Sequence, residues 1–334
     1  MVGEEFILKA LRKAYQVLAK PRSDNGNPWP NEDEWETTNN LLRELFSSDK
    51  ACFVGRIGTV EGAVVVNYLN VNEKAKSYIE KCLDYITKNT RMPIWDTGKP
   101  FAELRNNAGF FIGDKDTLDI EDVSRFAEIY LNDIPTMDVC GRFHYQEKFL
   151  PFKSDCHMVQ LESLYPFFSV STPWMKVFEG KKVLVVHPFK NSILSQYHNH
   201  RKELFNNKDI LPDFDLDVIQ AVQTIAGEKS QFSDWFEALD YMKEEIAKRD
   251  FDLLIVGCGA YGLPLAAFGK RLGKKSIHLG GGTQLLFGIK GKRWEGRYHG
   301  DDTRFADLFN EHWVYPGEEE KPKNANLVEG GCYW

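Results

Sequence analysis

Between Lys182 and Leu279 the chain alternates short unbroken apolar runs with stretches in which apolar residues recur every three or four positions. Runs of four to six apolar residues with no polar alternation suit strands buried on both faces, whereas a spacing of three and four suits one stripe of a helix. The runs predict strands at Lys182–Val186, Asp217–Val222, Phe251–Val256 and Lys275–Leu279. The periodic stretches between them predict helices at Ser192–Phe205, around Phe236, Leu239, Met242 and Ile246, and at Leu263–Leu272. Strands that alternate with helices imply a Rossmann-like α/β fold: a parallel sheet with helices on both faces.

The first half is patterned more loosely. Phe6, Ile7, Ala10, Leu11, Ala14, Tyr15 and Leu18 mark an amphipathic first helix expected to pack on the body of the protein, and the Pro- and Asn-rich stretch Pro21–Asp33 reads as a loop before a second helix through Trp35, Leu41, Leu42 and Leu45. A strand at Ala51–Val54, the turn Gly55-Arg56-Ile57-Gly58 and an apolar helix from Thr59 to Leu69 follow. Next come a helix at Glu73–Lys88, a loop at Arg91–Pro100, a helix at Ile120–Leu131 and a strand at Thr136–Cys140. These elements suggest an N-terminal helical segment over residues 1–50, one α/β unit over 51–315, and a solvated extended tail over 316–334 whose end, Val328–Trp334, docks back.

Composition narrows the function classes. Forty-two Lys and Arg against 49 Asp and Glu leave a net charge of −7, which argues against a dedicated nucleic-acid binder. Apolar runs such as Ala63–Val66 fall far short of the roughly 18 residues that cross a bilayer. The opening Gly3-Glu4-Glu5 lacks the basic start and apolar stretch of a secretory signal, so a cytoplasmic location is expected. Six widely spaced cysteines form no Cys-x-x-Cys pair and fit core thiols better than a zinc or disulfide framework. The oligomeric state is left open.

Three constellations carry candidate chemistry. Gly257-Cys258-Gly259-Ala260-Tyr261-Gly262 follows a strand and opens a helix, the setting in which Gly-x-Gly-x-x-Gly presents amides and a positive helix end to a pyrophosphate. The acid that a dinucleotide reader wants about 20 residues on is missing, because the next strand ends Ile277-His278-Leu279-Gly280. The glycines serve equally well for a tight turn and close helix packing. A second glycine turn, Gly280-Gly281-Gly282-Thr283-Gln284, belongs to the same sheet edge as the first. Beyond it Lys290, Lys292, Arg293 and Arg297 interleave with Trp294 and Tyr298, a patch suited to a diphosphate and a stacked ring. His187 ends its strand and is expected at the same edge, while His198 and His200 read as surface residues. The third constellation is Arg56, Gly58 and Glu61, with Thr59 as N-cap. A first-turn carboxylate is held ionised by the helix dipole, and Glu61 could bind a metal, hold a sugar hydroxyl, act as a base or simply pair with Arg56.

Gly55-Arg56-Ile57-Gly58-Thr59-Val60-Glu61, taken with Leu254 to Gly262 and the strand ending at Leu279, resembles the bacterial GT-D glycosyltransferases of polysaccharide and glycoprotein synthesis. Those enzymes carry an Arg-Phe/Ile-Gly-Asp-Gly-Glu segment early and a glycine-turn βαβ unit late. The resemblance implies a nucleotide-sugar donor such as a UDP-sugar, a saccharide or glycoconjugate acceptor, and a donor site containing Arg56 and Glu61. Where the family has its first aspartate this chain has Thr59, which leaves one carboxylate for Mn2+ or Mg2+. Glu61 is then the expected base, with Asp138 and Asp96 as alternatives, and aromatic residues including Trp95, Tyr145, Phe152, Tyr165, Phe167, Trp174 and Trp294 are candidates to stack on sugars. Two other readings stand beside this one. One is a dinucleotide- or S-adenosylmethionine-dependent enzyme using Gly257–Gly262; the other is a non-catalytic nucleotide-sugar-binding protein.

Overall fold

The computed structural model describes residues 2–19, 32–88, 90–168, 171–296, 303–328 and 330–334. Its centre is a seven-stranded, all-parallel sheet in the order β3-β2-β1-β7-β6-β4-β5. The strands are β1 (Cys52–Gly55), β2 (Val139–Arg142), β3 (His157–Gln160), β4 (Lys182–His187), β5 (Asp215–Gln220), β6 (Leu253–Val256) and β7 (Lys275–His278). Helices α1 (Val2–Ala19), α2 (Glu32–Ser47), α3 (Thr59–Asn72), α4 (Tyr78–Thr87), α5 (Lys99–Asn106) and α6 (Ile120–Asp133) belong to the first half. The second half adds α7 (Lys190–His200), α8 (Trp235–Ala247), α9 (Gly262–Arg271) and α10 (Gly282–Leu286).

Period-two geometry sends neighbouring residues of each strand to opposite faces. Val54, Val183, Val185, Ile255 and Ile277 meet α2, α7, α10 and the C-terminal segment on one face. Phe53, Leu184, Val186, Leu254 and Val256 meet α3, α5, α6, α8 and α9 on the other. Both faces are dry at the centre of the sheet, so β1, β4 and β6 are apolar over most of their length, whereas the edge strands β3 and β5 carry exposed polar residues such as His157 and Asp215. The crossovers from β1 to β2 and from β6 to β7 run one way across the sheet, while β4 to β5 runs the other way with its helix on the opposite face. Neighbouring strands β4 and β6 therefore send their chains apart, and a crevice opens beyond their carboxyl ends.

The structure differs from the sequence expectations in detail. β5 begins two residues early, β2 begins at Val139 behind a 3-10 turn at Ile134–Thr136, and α7 stops at His200. The edge strand β3 and helix α5 have too little apolar pattern to be seen in the sequence. α4 starts at Tyr78 because Ser77 and Glu80 form a reciprocal capping box there. In α1 the expected apolar stripe is largely exposed: Leu8 packs with Tyr85 and Met92, but Phe6, Ile7, Leu11 and Leu18 face outward, since α4 is the element α1 lies against. The Pro21–Asp33 loop falls mostly outside the described residues, although Glu32 and Asp33 already belong to α2.

The segment expected to be solvated is anchored. Glu320 is buried and accepts the Asn191 N–H at 2.6 Å and the Ser192 N–H at 3.3 Å, with its other contact on the Ser192 hydroxyl. A carboxylate at the first turn of α7 meets free amides and the positive helix end. From this anchor the chain runs on to Tyr333 and Trp334, and Trp334 packs on Phe189 at 6.0 Å between ring centroids.

Among the described residues, no helix is long and apolar enough to cross a membrane, and all six cysteines are free.

Candidate functional site

A cleft of about 320 Å3 lies beyond the carboxyl ends of β1, β7, β6 and β4. Of the residues singled out from sequence, Arg56, Gly58, Glu61, His187, Gly257, Gly259, Tyr261, Gly281, Gln284 and Arg293 line it. Gly262, Gly282 and Thr283 are buried behind this lining, and Lys290 and Lys292 stand outside it. Arg297 and Tyr298 lie outside the described residues.

The turn after β1 places the most concentrated chemistry. The N-cap of α3 is Gly58 rather than Thr59, and it makes no side-chain cap. The Glu61 side chain folds back over it: a Cβ on Gly58 would sit 1.8 Å from Glu61 Oε2. Only glycine leaves room for that carboxyl. Glu61 is 7% exposed, and burial raises its pKa above the ordinary carboxylate value, against the opposing pull of the Arg56 charge and of its own backbone N–H. Desolvation is the largest influence on this carboxyl and opposes the charged form that a first-turn position was expected to favour. No Glu61–Arg56 ion pair occurs among the described residues. The Arg56 guanidinium instead lies 4.4 Å over the Phe143 ring, at the cleft wall.

Two buried histidines present opposite hydrogen-bonding ends. His187 Nδ1 accepts the Phe189 N–H at 3.0 Å, so the ring proton sits on Nε2 as a donor. His278 Nδ1 lies 3.1 Å from the Val256 carbonyl, which can only accept, so its proton sits on Nδ1 and Nε2 keeps a lone pair. Burial pushes both down to about 3, with the Arg56 charge adding to the effect at His278. Both rings are neutral at any ordinary pH. In the sequence His278 stands near the place of a ribose-binding acid and carries no signal of its own. Its position at the end of β7, the strand inserted between β1 and β6, is what marks it.

Most amides of the glycine turn after β6 are already bonded to backbone carbonyls. The Gly257 N–H donates to Val186 O at 3.0 Å, Ala260 N–H to Ala108 O at 3.1 Å and Tyr261 N–H to Cys258 O at 3.2 Å. Gly259 takes a φ of +56° directly against the Ala108 carbonyl. Few amides of this turn remain for a pyrophosphate, and tight packing accounts for its glycines.

The aromatic lining comes from Phe143, Phe189, Tyr261, Tyr333 and Trp334. Tyr165, Phe167, Trp174 and Trp294, candidates from sequence, belong to the core instead. Trp95 packs edge-on against Tyr68 and Phe101, and neither Tyr145 nor Phe152 lines the cleft. Arg293 reaches the cleft with its guanidinium 3.1 Å from the Tyr333 hydroxyl, whereas Lys290 sits 4.8 Å over the Tyr315 ring. Asp138 and Asp96 are removed as alternative bases. Asp138 precedes β2, at the sheet's other end, where burial alone would raise its pKa but Lys153, Lys270 and the Phe53 N–H hold it below the ordinary value. Asp96 lines a different cavity, between α1 and α3.

For Mn2+ or Mg2+ the lining offers one carboxylate, Glu61, which is folded onto its own amide beside a guanidinium. Hard cations want several oxygens, so these residues do not fit a resident metal.

Behind Arg56, Glu147 is 3% exposed and accepts the Phe143 N–H at 3.2 Å. Burial raises its pKa to about 7. Its approach to His144 at 3.7 Å is not an ion pair, because burial pushes that ring down to about 4. The folded chain therefore binds the Glu147 proton more tightly than the unfolded chain, and the stability this confers is full below about pH 4.5 and is lost as pH rises through about 7. Urea denaturation at pH 5 and pH 8 should show Glu147→Gln gaining on wild type at the higher pH by on the order of 2–3 kcal/mol. A difference that does not change with pH would place this carboxyl near its solvent value.

No protein-family model, curated protein or solved structure matches this chain.

Proposed function

We propose that the cleft binds a nucleotide-sugar and that the protein is a glycosyltransferase, moving the sugar to a saccharide or glycoconjugate acceptor in polysaccharide biosynthesis in the cytoplasm. The observation that carries this reading is the joint lining of one cleft by the buried Glu61 carboxyl and by the guanidinium groups of Arg56 and Arg293. Transfer needs a base for the acceptor hydroxyl and positive charge for the departing diphosphate. Burial raises Glu61 above the ordinary carboxylate value and pushes His278 down to about 3, so Glu61 is the better proton acceptor. In this scheme the acceptor oxygen bonds to the anomeric carbon as its proton passes to Glu61. The bond to the diphosphate breaks, and its charge passes to oxygens near Arg56 and Arg293. His187 Nε2–H and His278 Nε2 fix a ligand oxygen and a ligand hydroxyl, and the Tyr333 and Trp334 rings supply apolar surface for a base or sugar. The donor's diphosphate can bring its own divalent ion, so the scheme requires no resident metal.

A nicotinamide or S-adenosylmethionine reading loses support because four of the six Gly257–Gly262 amides are already bonded, to Val186, Gly259, Ala108 and Cys258 carbonyls. Calorimetry with UDP, GDP, CDP and TDP, each with and without Mn2+, tests the proposal. One nucleoside diphosphate should bind, and Arg293→Ala should weaken it roughly 10- to 100-fold, as expected for loss of a charge-assisted contact. Lys290→Ala, outside the lining, should change affinity far less. Binding of NAD or S-adenosylmethionine alone would overturn the reading, and diphosphate binding without sugar turnover would leave a nucleotide-sugar-binding protein.

A further inference from the structure

Away from the cleft, His200 at the end of α7 and Glu203 just beyond it meet His312 from a segment more than 100 residues later. His200 Nδ1 lies 3.0 Å from Glu203 Oε2, and His312 Nδ1 lies 3.7 Å from the same oxygen. One donor atom from each of the three residues falls within 4.8 Å of the other two. We propose that these side chains form a binding site for a divalent transition ion of the zinc class, with solvent completing the coordination.

The donor set is the first argument. Two imidazoles and one carboxylate suit zinc, nickel or copper and are a poor match for the all-oxygen preference of magnesium or calcium. Spacing is the second. Ligands bonded at about 2.0–2.2 Å to a tetrahedral ion stand roughly 3.4 Å apart, and the two contacts on Glu203 bracket that value. The backbone beneath the ligands is also already tied. Asn310 Nδ2 donates to the Glu203 carbonyl at 3.0 Å and to the Leu204 carbonyl at 3.3 Å, Gln196 Nε2 donates to the His312 carbonyl at 2.8 Å, and Trp313 Nε1 donates to the Leu204 carbonyl at 3.1 Å. Glu311 Oε1 lies 3.7 Å from His312 Nε2, an additional negative charge beside the cluster.

A pair of ordinary surface His–Glu contacts would not require both imidazoles to address one oxygen from two separate chain segments. The ligands are half-exposed, which gives an ion a way in. A bound ion would clamp the end of α7 to the segment that leads into the tail, and that tail supplies Tyr333 and Trp334 to the cleft.

The test uses tag-free, full-length protein stripped with a chelator and exchanged into chelator-free buffer. Calorimetric titration with Zn2+ should show one ion per chain at micromolar affinity or tighter. Titration with Co2+ should give visible d–d absorption without a thiolate charge-transfer band. His312→Ala and His200→Ala should each weaken binding at least tenfold, while His198→Ala, an exposed neighbour, should leave it unchanged. Melting curves of the stripped variants establish that they fold. Absence of saturable binding, affinity unaltered in His200→Ala and His312→Ala, or a thiolate band from the free cysteines would each overturn the proposal.

Discussion

Glu61→Gln is expected to lower sugar transfer by about 10^2- to 10^4-fold, the range for removing a positioned general base, while nucleoside-diphosphate affinity and melting temperature stay close to wild type. Glutamine has the shape of the carboxyl and can still accept the Glu61 N–H, but it cannot take the acceptor's proton. Stability should if anything rise, because the substitution removes an ionisable group from a site where burial already disfavours charge. Gly58→Ala is the companion test. The backbone at Gly58, φ −64° and ψ 146°, is open to any residue, so alanine adds only a Cβ 1.8 Å from the Glu61 oxygen. That Cβ must displace the carboxyl, and transfer should fall nearly as far as in Glu61→Gln. Single-turnover assays on both variants decide the matter: wild-type rates in Glu61→Gln would remove this residue from the chemistry, and full activity in Gly58→Ala would show that the carboxyl works from another position.

Gly262→Ala should destabilise the fold by about 2–3 kcal/mol, even though alanine is the better helix former by up to about 1 kcal/mol. A Cβ at this first position of α9 would stand 2.1 Å from Cε1 and 2.4 Å from Nδ1 of His278. The imidazole is rigid, buried and tied to the Val256 carbonyl, so either the ring leaves that hydrogen bond or α9 moves off the sheet. Both routes reshape the cleft, since His278 lines it. Chemical denaturation gives the magnitude, and a double variant Gly262→Ala/His278→Ala gives the cause. Most of the lost stability beyond that of His278→Ala alone should vanish in the double variant; additive losses would mean that the clash lies elsewhere.

These cases show where legibility stopped. The third glycine of the Gly-x-Gly-x-x-Gly pattern announced a helix that approaches the sheet closely, but the partner it approaches, His278, lies 16 residues on and on another strand. Glu61 was legible as a first-turn acid beside an arginine. Its burial was not, because burial depends on the elements that pack on α3, namely α5, α6 and the turn after β2. In the tail, three consecutive glutamates look alike, and only the middle-distance geometry that brings Glu320 to the amides of α7 separates it from Glu318 and Glu319.

Read alone, the sequence determined the central strands and their dry faces, but not the edge strand β3. A run such as Val183 to Val186 has no polar side to give to water, and parallel strands with helices between them are the arrangement that buries such runs. It also determined that His187, Gly257 and the turn after β1 would end strands, because each directly follows an apolar run. Tertiary structure alone decided which strands neighbour one another, and so which strand ends share a cleft. It decided the tautomers of His187 and His278, the upward shift of Glu61 and the arrival of Arg293, Tyr333 and Trp334. Hydrophobic patterning is local and survives in one dimension, whereas desolvation, hydrogen-bond partners and converging side chains depend on contacts between residues that the chain itself keeps far apart.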